Sequence, residues 1–361
     1  MTNLTDEIIV HEDPERDTQQ QFFPGSIHNE EFRDFWKTKL RANEWVMHTL
    51  ENGYVIPFER LPPIYEEPNN KSAVQDPVFV NKAIKDLHEL GVIAFTDVKP
   101  HCVSPLTVSL KTGRDGLIKK RLCWDGSRCV NNYLKKQKVA LSHLQKALEI
   151  TKDQDFQIVY DLKAAYHHIK IDPSHTQYLG TSFNKPGGGK QYFVFLFLPF
   201  GLASAVHCIT KLFKPVNAFL HEKGVRHTIF IDDGRITAET AAKAENQRVF
   251  TYDVLKKAGW IIEMVKSDGK EDASQTKEYL GFIIDTIMMS IGLNEIKKQL
   301  ILKQVLLTIE HGRIPMAAKE LAGILGKIVA TEPALGPIVI MAARAAYSDL
   351  DAAVAERGWG T

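Results

Sequence analysis

Two stretches decide the fold: Val159-Tyr160-Asp161-Leu162-Lys163-Ala164-Ala165-Tyr166 and Thr228-Ile229-Phe230-Ile231-Asp232-Asp233-Gly234. In each of them a short apolar run with β-branched residues, which predicts a buried strand, ends in acidic side chains. Carboxylates held side by side repel one another until cations neutralise them. If folding brings the two strand ends together, the three aspartates form a site for divalent metal ions.

The sequence Asp232-Asp233-Gly234 also has a simpler interpretation. Asp-Gly accepts the positive backbone angles of a tight reversal, so an isolated sequence of this type is most often a surface hairpin turn. Two further segments favour chemistry instead. The loop Leu198-Pro199-Phe200-Gly201-Leu202-Ala203-Ser204-Ala205 lies between the two stretches, and Tyr279-Leu280-Gly281-Phe282 follows them.

Taken in order, these segments resemble the palm motifs of reverse transcriptases. The resemblance implies that Asp161, Asp232 and Asp233 are the catalytic residues. It also implies that they hold two Mg²⁺ ions, with Mn²⁺ as the alternative, together with the backbone carbonyl of Leu162. Polymerases use paired divalent ions about 4 Å apart to activate an attacking oxygen and stabilise a leaving one.

The same resemblance assigns roles to residues around the carboxylates. It assigns nucleotide binding to Lys111, Arg121, Tyr166, Phe200, Gly201 and Lys266. It assigns the primer grip to Tyr279, Leu280, Gly281 and Phe282. Tyr166 matches the aromatic residue whose ring collides with a ribose 2′-hydroxyl, although plain core packing of a buried aromatic ring is the alternative.

The motif sequences are most similar to those of DIRS- and Ngaro-type retrotransposons, which encode a tyrosine recombinase. The resemblance runs from about Glu31 to the C-terminus, and it includes Asn69-Asn70-Lys71-Ser72-Ala73. It implies an RNA or DNA template with a primer, a dNTP, and RNase H and recombinase domains of the same element as partners. One departure is Phe230, which stands where tyrosine is commoner in the family.

The implied function is an RNA-directed and DNA-directed DNA polymerase that extends a primer 3′-hydroxyl with dNTPs. Two alternatives stay open. An RNA-dependent RNA polymerase shares the palm but selects ribose with polar groups after the first aspartate, where this chain has Tyr166. A non-catalytic, domesticated scaffold would keep the palm to bind nucleic acid, and the intact aspartates argue against it.

The composition limits the class of protein. With 361 residues the chain is long enough for two or three domains. Its 45 Lys and Arg residues nearly balance 44 Asp and Glu residues, so contact with nucleic acid depends on local basic clusters such as residues 111–121. The chain has no apolar run that could span a bilayer and no signal peptide. We therefore expect an intracellular protein without a membrane partner, in the cytoplasm or the nucleus.

Histidines and cysteines offer no zinc-site spacing. His221 and His227 are wrongly spaced for two ligands on one helical face, and we interpret them as a helix end and its loop.

The expected fold class is α+β, of the right-hand polymerase type, with a small antiparallel palm sheet backed by helices and a helical thumb. The predicted domains are a flexible N-terminal segment (1–28), an N-terminal extension with fingers (29–142), the first part of the palm (143–170), a fingers insertion (171–196), the second part of the palm (197–290) and the thumb or connection (291–361). Helices are predicted at about 203–223, 238–258, 295–311, 317–330 and 337–356.

Overall fold

The computed structural model describes residues 22–112, 118–138, 144–185, 187–310 and 316–359. They form two compact units. The first contains the residues up to Ile150 together with Ile158–Ala273, and the second contains Thr151–Gln157 together with the residues from Ser274 onward. The mixture of helices and small sheets confirms the predicted α+β class.

The elements of the described residues are numbered in chain order. Helices α1–α11 are Glu30–Asp34, Glu44–Asn52, Lys71–Val74, Pro77–Glu89, Leu144–Glu149, Ala205–Glu222, Ala241–Lys257, Glu295–Glu310, Ala318–Val329, Glu332–Leu335 and Ile338–Arg357. Strands β1–β13 are Tyr65–Glu66, Ile93–Thr96, Cys102–Val103, Leu106–Thr112, Ile118–Trp124, Phe156–Asp161, Gly180–Asn184, Lys190–Phe195, Arg226–Phe230, Asp233–Ala238, Thr276–Tyr279, Phe282–Asp285 and Ser290–Leu293.

Helix start and stop signals are visible in α4. The Asp76 side chain caps it by accepting from the Phe79 amide, Pro77 fills its first position, and Gly91 lies just past its end at a φ of +73°. A side-chain cap and a first-turn proline satisfy or remove amides that have no partner within the helix, which is why this sequence begins a helix here.

Three sheets carry the first unit. One has five strands in the order β1-β3-β7-β8-β2, a second is the β4–β5 hairpin, and the third has the order β6-β10-β9. In the five-stranded sheet the β7–β8 hairpin closes through the amide of Lys185, which donates to the carbonyl of Gly189. Helices α6 and α7 pack on β9 and β10 of the third sheet. This helix-backed sheet corresponds to the predicted palm.

The N-terminal prediction is wrong for residues 22–28, which are part of the fold. The amide of Gly25 donates to the carbonyl of His167 at 2.9 Å, and Ser26 Oγ donates to the carbonyl of Gly259 at 2.6 Å. The side chain of Ile27 is completely buried. These long-range contacts fix a segment whose polar composition suggested no structure of its own.

The second unit contains the β11-β12-β13 sheet and helices α8–α11. It begins at Ser274, earlier than the boundary of 291 expected from the sequence, because its sheet is tied to the 151–157 segment. Gln157 Nε2 donates to the carbonyls of Gln275 and Ile284. The thumb-like helices share a core of Ala318, Leu325, Ala343 and Leu350. Within the described part of the chain, no helix combines the length and apolarity needed to cross a membrane.

Candidate active site

The β9–β10 hairpin carries the paired aspartates, but its turn is not at Asp-Gly. Asp233 lies directly opposite Phe230, so the two-residue loop is Ile231-Asp232. Ile231 has a φ of +60°, in the left-handed region that β-branched residues rarely adopt. Such a conformation costs on the order of 1–3 kcal/mol and is kept only where surrounding structure imposes it. The hairpin expectation is confirmed, and its predicted turn position is wrong.

Gly234 lies within β10, and its role is packing. A Cβ atom built there would lie 2.0 Å from Cζ of Tyr160. Tyr160 immediately precedes Asp161 on β6, the strand next to β10. Glycine is therefore needed at position 234, because the Tyr160 ring from the first aspartate-bearing stretch lies against the backbone of the second.

Asp161 and the Asp232 turn meet at the end of the palm sheet. The amide of Leu162 donates to the carbonyl of Asp232 at 2.9 Å. The backbone of Asp161 is held on its other side, because its amide donates to Ser267 Oγ and its carbonyl accepts from the amide of Glu263. Two strand ends that are 71 residues apart in the chain are thus joined by a direct hydrogen bond.

Lys266 forms an ion pair with the first aspartate. Its Nζ lies 2.9 Å from Oδ2 of Asp161, and the two side chains are 61% and 16% exposed. A largely shielded carboxylate at this position therefore carries a positive partner in the structure. The sequence assigned Lys266 to the nucleotide, and its exposed ammonium is close enough to the site to serve there as well.

The donor set fits a hard divalent cation. In the described residues no three His, Cys, Asp or Glu side chains are arranged as a ready ion site. Asp161 at the end of β6 and Asp232 in the turn after β9 nevertheless offer carboxylate oxygen atoms, and Asp161 already accommodates a cationic group. Mg²⁺ is bound by one or two carboxylates with water and substrate phosphates completing its shell, so a full protein cage is not required.

The loop 198–205 is locked against the end of β5. Gly201 has a φ of +113°, and a Cβ atom built on it would lie 1.7 Å from the carbonyl oxygen of Trp124. The amide of Trp124 donates to the carbonyl of Phe200. Asn131 holds the loop from a second side, because its Nδ2 donates to the Gly201 carbonyl and its Oδ1 accepts from the Ala203 amide. These hydrogen bonds hold the loop against the end of β5.

Three of the predicted nucleotide-binding residues lie together. The Arg121 guanidinium is 5.5 Å from the centroid of the Phe200 ring. The Tyr166 ring packs edge-on against Phe200, with centroids 4.9 Å apart. Burial, with a smaller contribution from the Asp232 carboxylate, raises the pKa of Tyr166 to about 12, so its hydroxyl stays neutral. Lys111 pairs with Lys119 across the β4–β5 hairpin, and its side chain is outside the described part of the chain.

The predicted primer grip is a tight hairpin of the second unit. Tyr279 lies opposite Phe282 at the ends of β11 and β12, and Leu280 and Gly281 have φ values of +51° and +78°. Positive φ at both central residues is the geometry of a two-residue turn that matches strand twist. Lys297 Nζ lies 4.3 Å from the centroid of the Phe282 ring.

Sequence reasoning missed the role of His227. It lies in strand β9 and is buried, not in a loop after a helix end, so that interpretation is corrected. His221 does lie in the last turn of α6, and its Nε2 is 2.7 Å from the carbonyl oxygen of His227. The run of β-branched and aromatic residues Thr228-Ile229-Phe230 directly after His227 was the available signal for a strand.

The part of the chain that carries this site is similar to a known protein family. Residues 107–284 match the model of the family described as reverse transcriptase (RNA-dependent DNA polymerase). This part of the chain is similar to a reverse transcriptase domain. The matched range includes Asp161, the 198–205 loop and the paired aspartates. No curated protein matches the chain in a sequence search.

Solved structures with a similar fold are known. A foamy viral protease-reverse transcriptase in complex with RNA/DNA hybrid has a TM-score of 0.55 at 19% identity, covering 88% of this chain and 41% of that one. A second foamy viral protein of this kind, in complex with double-stranded DNA, has a TM-score of 0.55 at 20% identity, covering 88% and 55%. The chain thus spans about half the length of these relatives. The similarity confirms the predicted right-hand polymerase fold.

Proposed function

We propose that this chain copies RNA and DNA templates into DNA by extending a primer 3′-hydroxyl with dNTPs. The observation that carries the proposal is the junction of Asp161 with the Asp232 turn through the Leu162 amide. The similarity to a reverse transcriptase domain and the nucleic-acid complexes of the structural relatives support the same assignment.

Each site residue has a role in this proposal. Asp161 and Asp232, with Asp233 and the Leu162 carbonyl in support, would hold two Mg²⁺ ions or their Mn²⁺ equivalents. Such ions, when bound, activate the primer hydroxyl and stabilise charge on the departing pyrophosphate. Arg121 neutralises the triphosphate, and Lys111 adds a second positive charge from the same hairpin.

The remaining residues orient the substrates. Phe200 and Gly201 form the floor on which the nucleotide lies, and Tyr166 excludes a ribose 2′-hydroxyl. Lys266 is near enough to Asp161 to shield or protonate the leaving group once its ammonium turns toward the phosphates. The hairpin Tyr279–Phe282 grips the primer strand.

We further propose that the chain comes from a retrotransposon of the DIRS or Ngaro type. The support is the amino-acid sequence of three motifs: Asp161-Leu162-Lys163-Ala164-Ala165-Tyr166, the Leu-Pro-Phe-Gly-Leu loop and Asp232-Asp233-Gly234. RNase H and tyrosine recombinase domains of the same element would then act together with it.

A primer-extension assay tests the function. With an RNA template and Mg²⁺, we expect extension with dNTPs and little with NTPs, and we expect extension on a DNA template too. Preference for NTPs would show an RNA-dependent RNA polymerase. Binding of primer and template without extension would show a non-catalytic scaffold, and either result would contradict the proposal.

Replacing Tyr166 by Val tests the sugar selection. Removal of the ring should raise the relative use of NTPs roughly 100-fold, a typical discrimination against one added hydroxyl. The matched variant Tyr166→Phe keeps the ring and should keep the selection. If Tyr166→Val lowers the use of dNTPs and NTPs equally, the ring is only core packing. Single-nucleotide incorporation kinetics with each nucleotide type provide the measurement.

A further inference from the structure

A buried network of hydrogen-bonded side chains lies beside the two stretches that carry the aspartates, and the proposed chemistry does not explain it. The Tyr160 hydroxyl is 2.6 Å from His227 Nε2, and His227 Nδ1 is 2.8 Å from Oδ1 of Asn217. The tyrosine and histidine rings are nearly parallel, at an interplanar angle of 11°. Both side chains are almost fully buried, with exposed fractions of 2% and 1%.

The donors and acceptors of this network can be assigned. Burial lowers the pKa of His227 to about 3, so its imidazole is neutral at working pH and has one donor and one acceptor nitrogen. Oδ1 of Asn217 can only accept, so Nδ1–H of His227 donates to it. Nε2 then accepts from the Tyr160 hydroxyl. Each bond fixes the next one, and the Tyr160 ring is held in a single position.

Tyr160 connects the two stretches that carry the aspartates. It is the residue before Asp161 on β6, and its ring lies against Gly234, the residue after Asp233 on β10. His227 belongs to β9, the partner strand of β10, and Asn217 belongs to α6 behind the sheet. The network therefore extends from α6, through the sheet, to the point where the two stretches that carry the aspartates touch.

We propose that Tyr160, His227 and Asn217 are positioning residues that set the separation between Asp161 and the Asp232-Asp233 hairpin, and so set the affinity of the site for divalent cations. This inference rests on the proposed metal-dependent function. None of the three residues is assigned contact with substrate. Their effect reaches the aspartates through the ring of Tyr160. A carboxylate displaced by a few tenths of an ångström binds a small, strictly coordinated cation more weakly, so the position of this ring affects cation affinity.

The test compares Tyr160→Phe with a control that loses an equivalent bond elsewhere. Tyr160→Phe keeps the ring against Gly234 and removes the hydroxyl that donates to His227. The control is Thr49→Val on α2, where a hydroxyl that is also buried donates to the carbonyl of Trp45. The second variant is Asn217→Ala, at the other end of the network from Tyr160. It is used if Tyr160→Phe does not fold.

Two readouts separate positioning from general stability. The first is the Mg²⁺ concentration that half-saturates primer extension, which should rise roughly tenfold in Tyr160→Phe, the lower end of the effect of groups that support metal ligands. At saturating Mg²⁺ the KM for dNTP should be unchanged. The second is the Mg²⁺ concentration needed to raise the thermal unfolding midpoint, which needs no activity and should shift by a similar factor.

The outcomes are distinguishable. In Thr49→Val the midpoint should fall while both Mg²⁺ dependences stay as in the natural protein. If Tyr160→Phe, or Asn217→Ala in its place, behaves like Thr49→Val, the network only stabilises the fold and the inference is overturned. If the natural protein does not extend primers but Tyr160→Phe still shifts the Mg²⁺ dependence of unfolding, the proposed polymerase function fails and the positioning role stands.

Discussion

Asp232→Asn is expected to abolish primer extension, with a loss of roughly 10³-fold or more in the extension rate. Asp232 lies at the two-residue turn of the β9–β10 hairpin, and its backbone is bonded to the residue after Asp161. Neutralising this carboxylate removes one of the few fixed charges that the site uses, and the loss of a single preorganised electrostatic group already costs about 10²–10³-fold in an active site. The measurement is single-turnover extension of a labelled primer on an RNA template.

The matched control is Asp253→Asn on α7. Asp253 forms an exposed i,i+4 ion pair with Lys257 at 2.7 Å, and such surface pairs contribute at most about 1 kcal/mol. Its variant should extend primers within about twofold of the natural protein. Extension by Asp232→Asn at a rate close to that of Asp253→Asn would exclude Asp232 from the catalytic site.

Gly201→Ala is expected to lower the free energy of unfolding by about 2–5 kcal/mol. The new methyl group would lie 1.7 Å from the Trp124 carbonyl oxygen, so the loop 198–205 or the end of β5 must move. Overpacking of this kind costs about 1–3 kcal/mol, and the left-handed backbone adds about 1–2 kcal/mol for a residue with a Cβ atom. Chemical denaturation monitored by tryptophan fluorescence measures the change.

Gly224→Ala separates the two contributions to this loss. Gly224 has a φ of +77°, and nothing lies within 4 Å of a Cβ atom built there. Its variant should lose only the conformational part, about 1 kcal/mol. Equal losses in the two variants would mean that the loop is not pressed against Trp124. Gly201→Ala should also raise the KM for dNTP, because Phe200 moves with the loop.

The sequence predicted those features that depend on local pattern and motif order. Asp161 and Asp232 were assigned to strand ends from the apolar runs before them; Asp161 is the last residue of β6, and Asp232 lies in the turn that follows β9. The helices predicted at about 203–223 and 238–258 correspond to α6 and α7 within three residues at each end. Periodicity and capping signals act over a few residues, so they can be read without knowing the tertiary fold.

The missed features depend on contacts between distant segments. The reason for Gly234 is a ring from β6, 74 residues earlier, and Asp-Gly suggested a turn instead. The positive φ of Ile231 goes with the two-residue turn that the β9–β10 register leaves between Phe230 and Asp233. Residues 25–27 are ordered by His167 and Gly259, which their own composition does not reveal. Long-range packing overrides local propensity in each case.

Diffraction from crystals grown with Mn²⁺, primer-template and an unreactive dNTP analogue tests the central claim most directly. Mn²⁺ scatters anomalously and takes the oxygen ligands of Mg²⁺. We predict anomalous peaks within about 2.0–2.3 Å of carboxylate oxygens of both Asp161 and Asp232, beside the primer terminus. The absence of any ion between these two aspartates, in a complex that still adds nucleotides when given a natural dNTP, would contradict the account.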